Sequence, residues 1–225
     1  MRDASAGPGR RAAIARVGLL GGTFNPPHIG HLICAQQARE QLGLDVVLLV
    51  PAGTPPHKTV DGDPGAEARL ALCQAAVAGD DALGVSDIEV RRAGPSYTAD
   101  TLREMNEQRP GDELTFIVGA DMAESLPTWR DPREVLRLAR FAVAERAGTR
   151  REDIAATLSP LDPGGRVTFF DMPRLDISST VLRRRAGAGL SLRHYVPEAV
   201  AAEIRARGLY RHQGAEHSAG EEFTA

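Results

Sequence analysis

Cysteine, lysine, tryptophan and long apolar runs are all scarce in this chain, and each shortage removes a class of function. Its 225 residues hold two cysteines, Cys34 and Cys73. They are too few for a disulfide framework or a thiolate zinc site and form no CxxC pair, so a reducing compartment is the simplest setting. The longest apolar runs, such as residues 46–50, fall far short of the ~20 residues that span a bilayer. Arg2, Arg10 and Arg11 precede a segment interrupted by Arg16, whereas a secretory leader needs roughly 7–15 apolar residues there. The expectation is a cytoplasmic protein with no membrane partner. A net charge of −3 argues against nucleic acid held by bulk attraction, and leaves a local basic pocket open. Neither GxxxxGK(S/T) nor GxGxxG occurs, which removes the main support for P-loop and dinucleotide-fingerprint readings. Of the 27 basic residues 26 are arginine and one is lysine, Lys58. With that bias most arginines need no individual explanation.

What is present is the balance of a soluble globule, 42% hydrophobic and 25% charged. As one α/β domain a chain this long buries roughly 70% of its unfolded surface. Short, nearly continuous apolar runs at residues 14–20, 46–50, 83–90, 114–118, 141–145 and 167–170 read as strands buried on both faces. Helical patterns lie between them. Asp63 and Pro64 read as N-cap and first helical residue ahead of Leu70, Cys73 and Val77. Thr98 reads as another N-cap, with Tyr97 and Leu102 placed for a hydrophobic staple, and Asp131 to Glu134 has capping-box spacing. Pro197 opens a helix through Val200 and Ile204 that Gly208 can close. The alternation predicts a single Rossmann-like domain over residues 14–211, a doubly wound parallel sheet with helices on both faces. Residues 1–13 and 212–225 are small, polar and unpatterned, and read as loose tails. Open sheets of this class bind ligands beyond the carboxyl ends of their strands. The loops directly after strands are therefore the place to look.

The loop after the first strand is the richest. Gly21 and Gly22 let backbone N–H groups approach a ligand closely; Thr23, Phe24 and Asn25 follow, and Pro26 and Pro27 stiffen the turn. His28 and His31 then sit three apart where a helix begins, with Gly30 leaving room between them, beside an N-terminus that favours phosphate. The alternative for His31 is a capping histidine half buried on the stripe of Ala35, Ala38 and Leu42. No carboxylate or third histidine is near in sequence to complete a metal site. After the second strand, a proline-stiffened loop holds Lys58, either a compact charge for a phosphate or a solvated side chain. After the third, residues 94–98 precede a helix whose first amides suit a carboxylate or phosphate, although capping explains Thr98 equally well. After the fourth, Asp121 presents a carboxylate of the kind that holds ribose hydroxyls. Trp129, the only tryptophan, either stacks on a heterocycle or fills the core. Last, Ser178, Ser179 and Thr180 open a helix with Arg183 on its second turn, a set of amides, hydroxyls and guanidinium that suits a polyphosphate.

Taken together these segments resemble a known family. GGTFNPPHIGH is similar to the (T/H)xGH signature of the nucleotidyltransferase superfamily, and ISSTVLR, about 145 residues later, to its ISSTxxR signature. With PPHK, SYTADTL and GAD…W between them, residues 14–211 resemble the bacterial nicotinate-nucleotide adenylyltransferases. The resemblance implies transfer of AMP from ATP to nicotinate mononucleotide in NAD biosynthesis, giving nicotinate adenine dinucleotide and pyrophosphate, with Mg²⁺ accompanying ATP. It implies that Gly21, Gly22, Thr23, Phe24, His28, His31, Ser178, Ser179, Thr180 and Arg183 bind ATP. Within that set the histidines would hold the phosphates and the transition state, and Ser179 and Arg183 the β- and γ-phosphates. His28, His31, Lys58 and Arg183 form the implied catalytic set. Asn25, Lys58, Tyr97, Thr98, Asp121 and Trp129 would receive the mononucleotide: amides of Tyr97 and Thr98 at the pyridine carboxylate, Trp129 on the ring, Asp121 on ribose. Most members carry Asp where this chain has Asn25, a change that removes a charge but keeps a turn-forming side chain.

The implied chemistry explains the residue types. A phosphate nucleophile is already ionised at neutral pH and needs no general base, so alignment and positive charge suffice. This requires the histidine pair and the serine–arginine cluster to converge on one triphosphate. Other readings stay open: a different acceptor such as nicotinamide mononucleotide or pantetheine phosphate, or a non-catalytic nucleotide-binding protein on the same fold. Class I aminoacyl-tRNA synthetases share the HIGH tetrapeptide but need a KMSKS-like loop, which a single lysine cannot supply. A homo-oligomer is compatible with the sequence and not required by it.

Overall fold

Apolar alternation along the strands decides the architecture. The computed structural model describes residues 14–55, 62–145 and 151–211; the two expected tails and Lys58 lie outside the described residues. Strands β1 (Arg16–Gly22), β2 (Val46–Pro51), β3 (Leu83–Val85), β4 (Glu113–Gly119), β5 (Arg140–Glu145) and β6 (Val167–Asp171) form one parallel sheet in the order β3-β2-β1-β4-β5-β6. Successive side chains point to opposite faces. Val17, Leu19, Leu48, Val50, Phe116, Phe141 and Val143 enter one core, and Leu20, Val47, Leu49, Ile117 and Ala142 enter the other.

Helices cover both faces, as the strand–helix alternation predicts. The first core is closed by Ile88 of α3 (Ile88–Arg91), Leu102 and Met105 of α4 (Thr98–Gln108), and Ala123 of α5 (Ala120–Glu124). Val135 of α6 (Pro132–Leu138) and Ile154 of α7 (Arg151–Leu158) complete it. Ala35 and Ala38 of α1 (Ile29–Leu42) and Cys73 of α2 (Ala66–Ala76) close the second. A third cluster joins Leu72 of α2 to Leu182 of α8 (Ser179–Gly187) and Val200 and Ile204 of α9 (Glu198–Ala206). Gly208, at φ +62, ends α9 by donating to the Arg205 carbonyl while Leu209 donates to that of Ile204, the double bond of a Schellman stop.

Three boundaries differ from the sequence reading. The strand expected over residues 83–90 stops at Val85, and Ile88–Arg91 makes one helical turn. Arg91 N–H bonds to the Asp87 carbonyl and its guanidinium pairs with the Asp87 carboxylate at 2.6 Å, an i,i+4 arrangement that only a helix permits. Asp63 does not cap α2, which begins at Ala66; its carboxylate accepts instead from the Gly65 N–H and from Arg69 Nε, both at 3.0 Å. Tyr97, not Thr98, is the N-cap of α4. Asp131 does precede α6, but in a left-handed conformation (φ 51) without a side-chain cap bond; its carboxylate faces Arg103.

The chain runs outward through β1, β2 and β3, then returns to the other side of β1 for β4, β5 and β6. Strand order reverses between β1 and β4, and the crevice for a ligand opens over their carboxyl ends.

Candidate active site

A cleft of about 1470 Å³ occupies that crevice, larger than the about 300–1,000 Å³ usual for one small ligand. Its floor is the loop after β1. Gly21, Gly22, Thr23, Phe24, Asn25, His28 and His31 all line it. Phe24 is buried and holds its ring edge-on to His31, 5.0 Å between centroids.

The two imidazoles fix each other. His28 is the N-cap of α1, and its backbone N–H donates to His31 Nδ1 at 3.1 Å. The rings stack with centroids 3.7 Å apart and 28° between planes. With Nδ1 accepting, Nε2 is the ring nitrogen left to donate. Gly30 leaves the imidazole its room: a Cβ there would stand 3.0 Å from His28 Nδ1, so the ring would have to give way. The capping reading of His31 holds, and the capping bond orients a ring that also lines the cleft.

The distant C-terminal motif reaches the same loop. Ser179 Oγ donates to the Pro26 carbonyl at 2.9 Å, and Arg183 Nη1 donates to the Asn25 carbonyl at 2.9 Å. Ser178 caps α8 by accepting from the Val181 N–H. Ser178, Ser179, Thr180 and Arg183 all line the cleft. The imidazole pair and the serine–arginine cluster thus share one wall, across sequence separations of 153 and 158 residues. Asn25 is 2% exposed, and its Oδ1 accepts from the Tyr210 hydroxyl at 2.7 Å. Burial pushes the Tyr210 hydroxyl pKa up, which keeps it a donor.

The opposite end of the cleft is built on other loops. Tyr97 and Thr98 line it at the start of α4, with the Arg130 guanidinium 4.7 Å from the centre of the Tyr97 ring. Trp129 both lines the cleft and packs edge-on against Phe116 and Phe141, 6.2 Å from each, while its Nε1 donates to Ser125 Oγ at 2.9 Å. Neither of its two sequence readings excludes the other. Asp121 is a different case. β4 ends at Gly119 and α5 begins at Ala120, which leaves Asp121 exposed on the first turn, in the segment whose Gly119 and Met122 line the cleft. Lys58 lies outside the described residues.

Several residues here escape sequence reasoning. Arg69, 1% exposed in α2, donates to the carbonyls of Thr23, Ala52 and Gly53. Among 26 arginines nothing marks it except its place on a buried stripe with Leu72 and Cys73. Glu89 lines the cleft, accepts from Thr101 Oγ1 at 2.6 Å, and has its carboxyl pKa pushed up by burial. Gly53 packs so closely that an added Cβ would run into the Glu89 carbonyl oxygen. Gly53→Ala must move backbone, and the expected cost is about 3 kcal/mol, read as a fall in Tm of roughly 6–12 °C by circular dichroism. An unchanged Tm would contradict that close approach.

Comparison with known proteins agrees with this geometry. Residues 19–185 match the cytidylyltransferase-like family. A probable nicotinate-nucleotide adenylyltransferase of Exiguobacterium sibiricum is 44% identical over 195 residues, covering 87% of this chain and 98% of the relative. One of Synechococcus sp. is 42% identical over 197 residues, covering 87% and 94%. The Plasmodium falciparum nicotinic acid mononucleotide adenylyltransferase complexed with NaAD shares the fold at a TM-score of 0.71 with 16% identity, covering 87% of this chain and 97% of that one. By sequence, this chain belongs to the nicotinate-nucleotide adenylyltransferase family.

Proposed function

We propose that the chain joins ATP and nicotinate mononucleotide into nicotinate adenine dinucleotide with release of pyrophosphate, by direct in-line transfer and without a covalent intermediate. The observation that carries this reading is the convergence of His28, His31, Ser179 and Arg183 on one loop at the strand-order reversal. An oxygen of the mononucleotide phosphate attacks the α-phosphorus of ATP; that P–O bond forms as the bond to the β-phosphate bridge breaks. Charge on the nucleotide phosphates must be held while this happens, and the side chains of His31, Ser178, Ser179, Thr180 and Arg183 on this wall all carry N–H or O–H donors.

The roles follow from position. The turn of Gly21, Gly22, Thr23 and Phe24 brings backbone amides to the α-phosphate. His31 Nε2–H, with His28 stacked behind it, donates to the oxygens that gain charge in the transition state. Ser178, Ser179 and Thr180 at the start of α8, with Arg183 a turn later, receive the β- and γ-phosphates at a helix N-terminus. Lys58 would add charge at the same phosphates. Tyr97 and Thr98 receive the pyridine carboxylate at the start of α4, Trp129 stacks on the ring, and Asn25 shapes the turn between the two nucleotides.

Mg²⁺ enters this scheme as the companion of ATP. Among the described residues no group of three or more His, Cys, Asp or Glu is placed to hold a metal, and the carboxylates on the cleft are engaged, Asp63 by Arg69 and Glu89 by Thr101. Cys34 and Cys73 are buried and form no disulfide with each other, which suits the cytoplasm as the site of the reaction.

Pyrophosphate release from ATP, measured with nicotinate and nicotinamide mononucleotides side by side, tests the reading. The expected result is turnover with nicotinate mononucleotide and a kcat/KM at least about 10-fold lower with the amide. Turnover with neither overturns the proposal, and equal turnover overturns the preference.

A further inference from the structure

The two ends of the cleft stand on different loops, and one buried guanidinium holds both. Arg69 Nη1 donates to the carbonyls of Thr23, at 3.1 Å, and of Ala52; Nη2 donates to Gly53 O at 3.0 Å; Nε donates to Asp63 Oδ1 at 3.0 Å. Thr23 belongs to the loop assigned to ATP. Ala52 and Gly53 begin the loop after β2, which is tied onward: Gly53 N–H donates to Ser96 Oγ at 2.9 Å, and Ser96 N–H donates to the Thr54 carbonyl at 2.9 Å. Ser96 immediately precedes Tyr97, at the acceptor end. A short chain of bonds thus runs from the nucleotide turn through Arg69 to the start of α4.

Packing alone does not call for an arginine here. A buried charge is costly unless paired and fully bonded, and an apolar side chain of similar volume would fill the space between α2 and the sheet. What an apolar side chain cannot do is hold three carbonyls from two loops in one plane, which is the particular capacity of the guanidinium fork. Peptide planarity extends the effect. A trans peptide carries its C=O and N–H on opposite sides, so seating the Thr23 carbonyl on Arg69 turns the Phe24 N–H to the far side. Thr23 and Phe24 both line the cleft, and Arg69 does not.

We propose that Arg69 is a positioning residue for adenylyl transfer: it sets the spacing between the ATP loop and the acceptor loops, and with it the in-line alignment, without touching either substrate. The proposal rests on the reaction assigned above. A residue of this kind acts on the attack geometry more than on the binding of either substrate alone, so its signature is a fall in kcat with little change in KM. A residue that merely stabilises the fold lowers activity only as far as the chain unfolds.

Arg69→Lys keeps the charge and loses the fork. With misplacement of about 1 Å the expected fall in kcat is about 100-fold, with both KM values within about 3-fold of those of the unaltered chain. Quenching of Trp129 fluorescence by nicotinate mononucleotide should occur at near-unaltered concentrations, a binding readout independent of turnover. Asp63→Asn is the milder companion: it leaves the three carbonyl bonds and weakens the anchor on Nε, and kcat should fall about 10-fold with KM unchanged. A kcat equal to that of the unaltered chain in either folded variant overturns the proposal. So does a loss that only tracks the fraction unfolded at the assay temperature, followed by circular dichroism. The unaltered chain in the same assay separates the two layers, since a lack of pyrophosphate from it removes the reaction itself, whatever the variants do.

Discussion

His31→Ala is expected to lower kcat by about 100-fold or more in a chain that stays folded. The argument is geometric. His31 Nδ1 accepts from the His28 N–H, which holds the ring in a fixed orientation on the cleft lining before charge develops. A single preorganised donor of this sort contributes roughly 3–4 kcal/mol to the barrier. The fold survives because His31 is only half-buried, and the helix it begins is held by Ala35 and Ala38 against the sheet. KM for ATP should change less than kcat, since the donor matters most where the charge appears. Steady-state pyrophosphate release with a parallel melting curve checks both parts. Undiminished turnover in a folded variant would remove His31 from the chemistry.

Arg183→Ala should act chiefly on ATP. Its guanidinium donates to the Asn25 carbonyl at 2.9 Å and to Thr180 Oγ1 at 3.4 Å, and its delocalised charge stands at the wall assigned to the β- and γ-phosphates. Removing it withdraws a charge from the triphosphate and untethers the loop that carries Asn25, so kcat/KM for ATP is expected to fall about 100- to 1,000-fold. Arg183→Lys restores the charge without the fork and should recover only part of the loss. Ser179→Ala removes the matching bond to Pro26 and should cost less, because a neutral hydrogen bond is worth about 1 kcal/mol. An Arg183→Ala enzyme within about 3-fold of the unaltered kcat/KM would mean that α8 does not grip the nucleotide.

Much of this site is legible in the sequence because its chemistry is local. Two histidines three residues apart behind a Gly-Gly turn, and three hydroxyls ahead of Arg183, are patterns whose geometry follows from a loop meeting a helix start. The six-stranded sheet is legible for a similar reason, since strands buried on both faces leave uninterrupted apolar runs. The misses have physical causes. Residues 83–90 look like a strand because Val85, Ile88 and Val90 are apolar, but the Asp87–Arg91 pair favours a turn of helix. Asp63 looks like a cap until Arg69, which only tertiary contact reveals, claims its carboxylate. Tyr210 sits at the edge of an unpatterned segment, and its bond to Asn25 spans 185 residues. No window of sequence holds both partners.

That span has a consequence for how the protein is made. The glycine-rich turn is translated well before its partners Ser179, Arg183 and Tyr210, since 153, 158 and 185 residues separate the bonded pairs. A nascent chain therefore holds the imidazole pair before the groups that close over it exist. The order of translation itself delays the assembled wall until Tyr210 has been made.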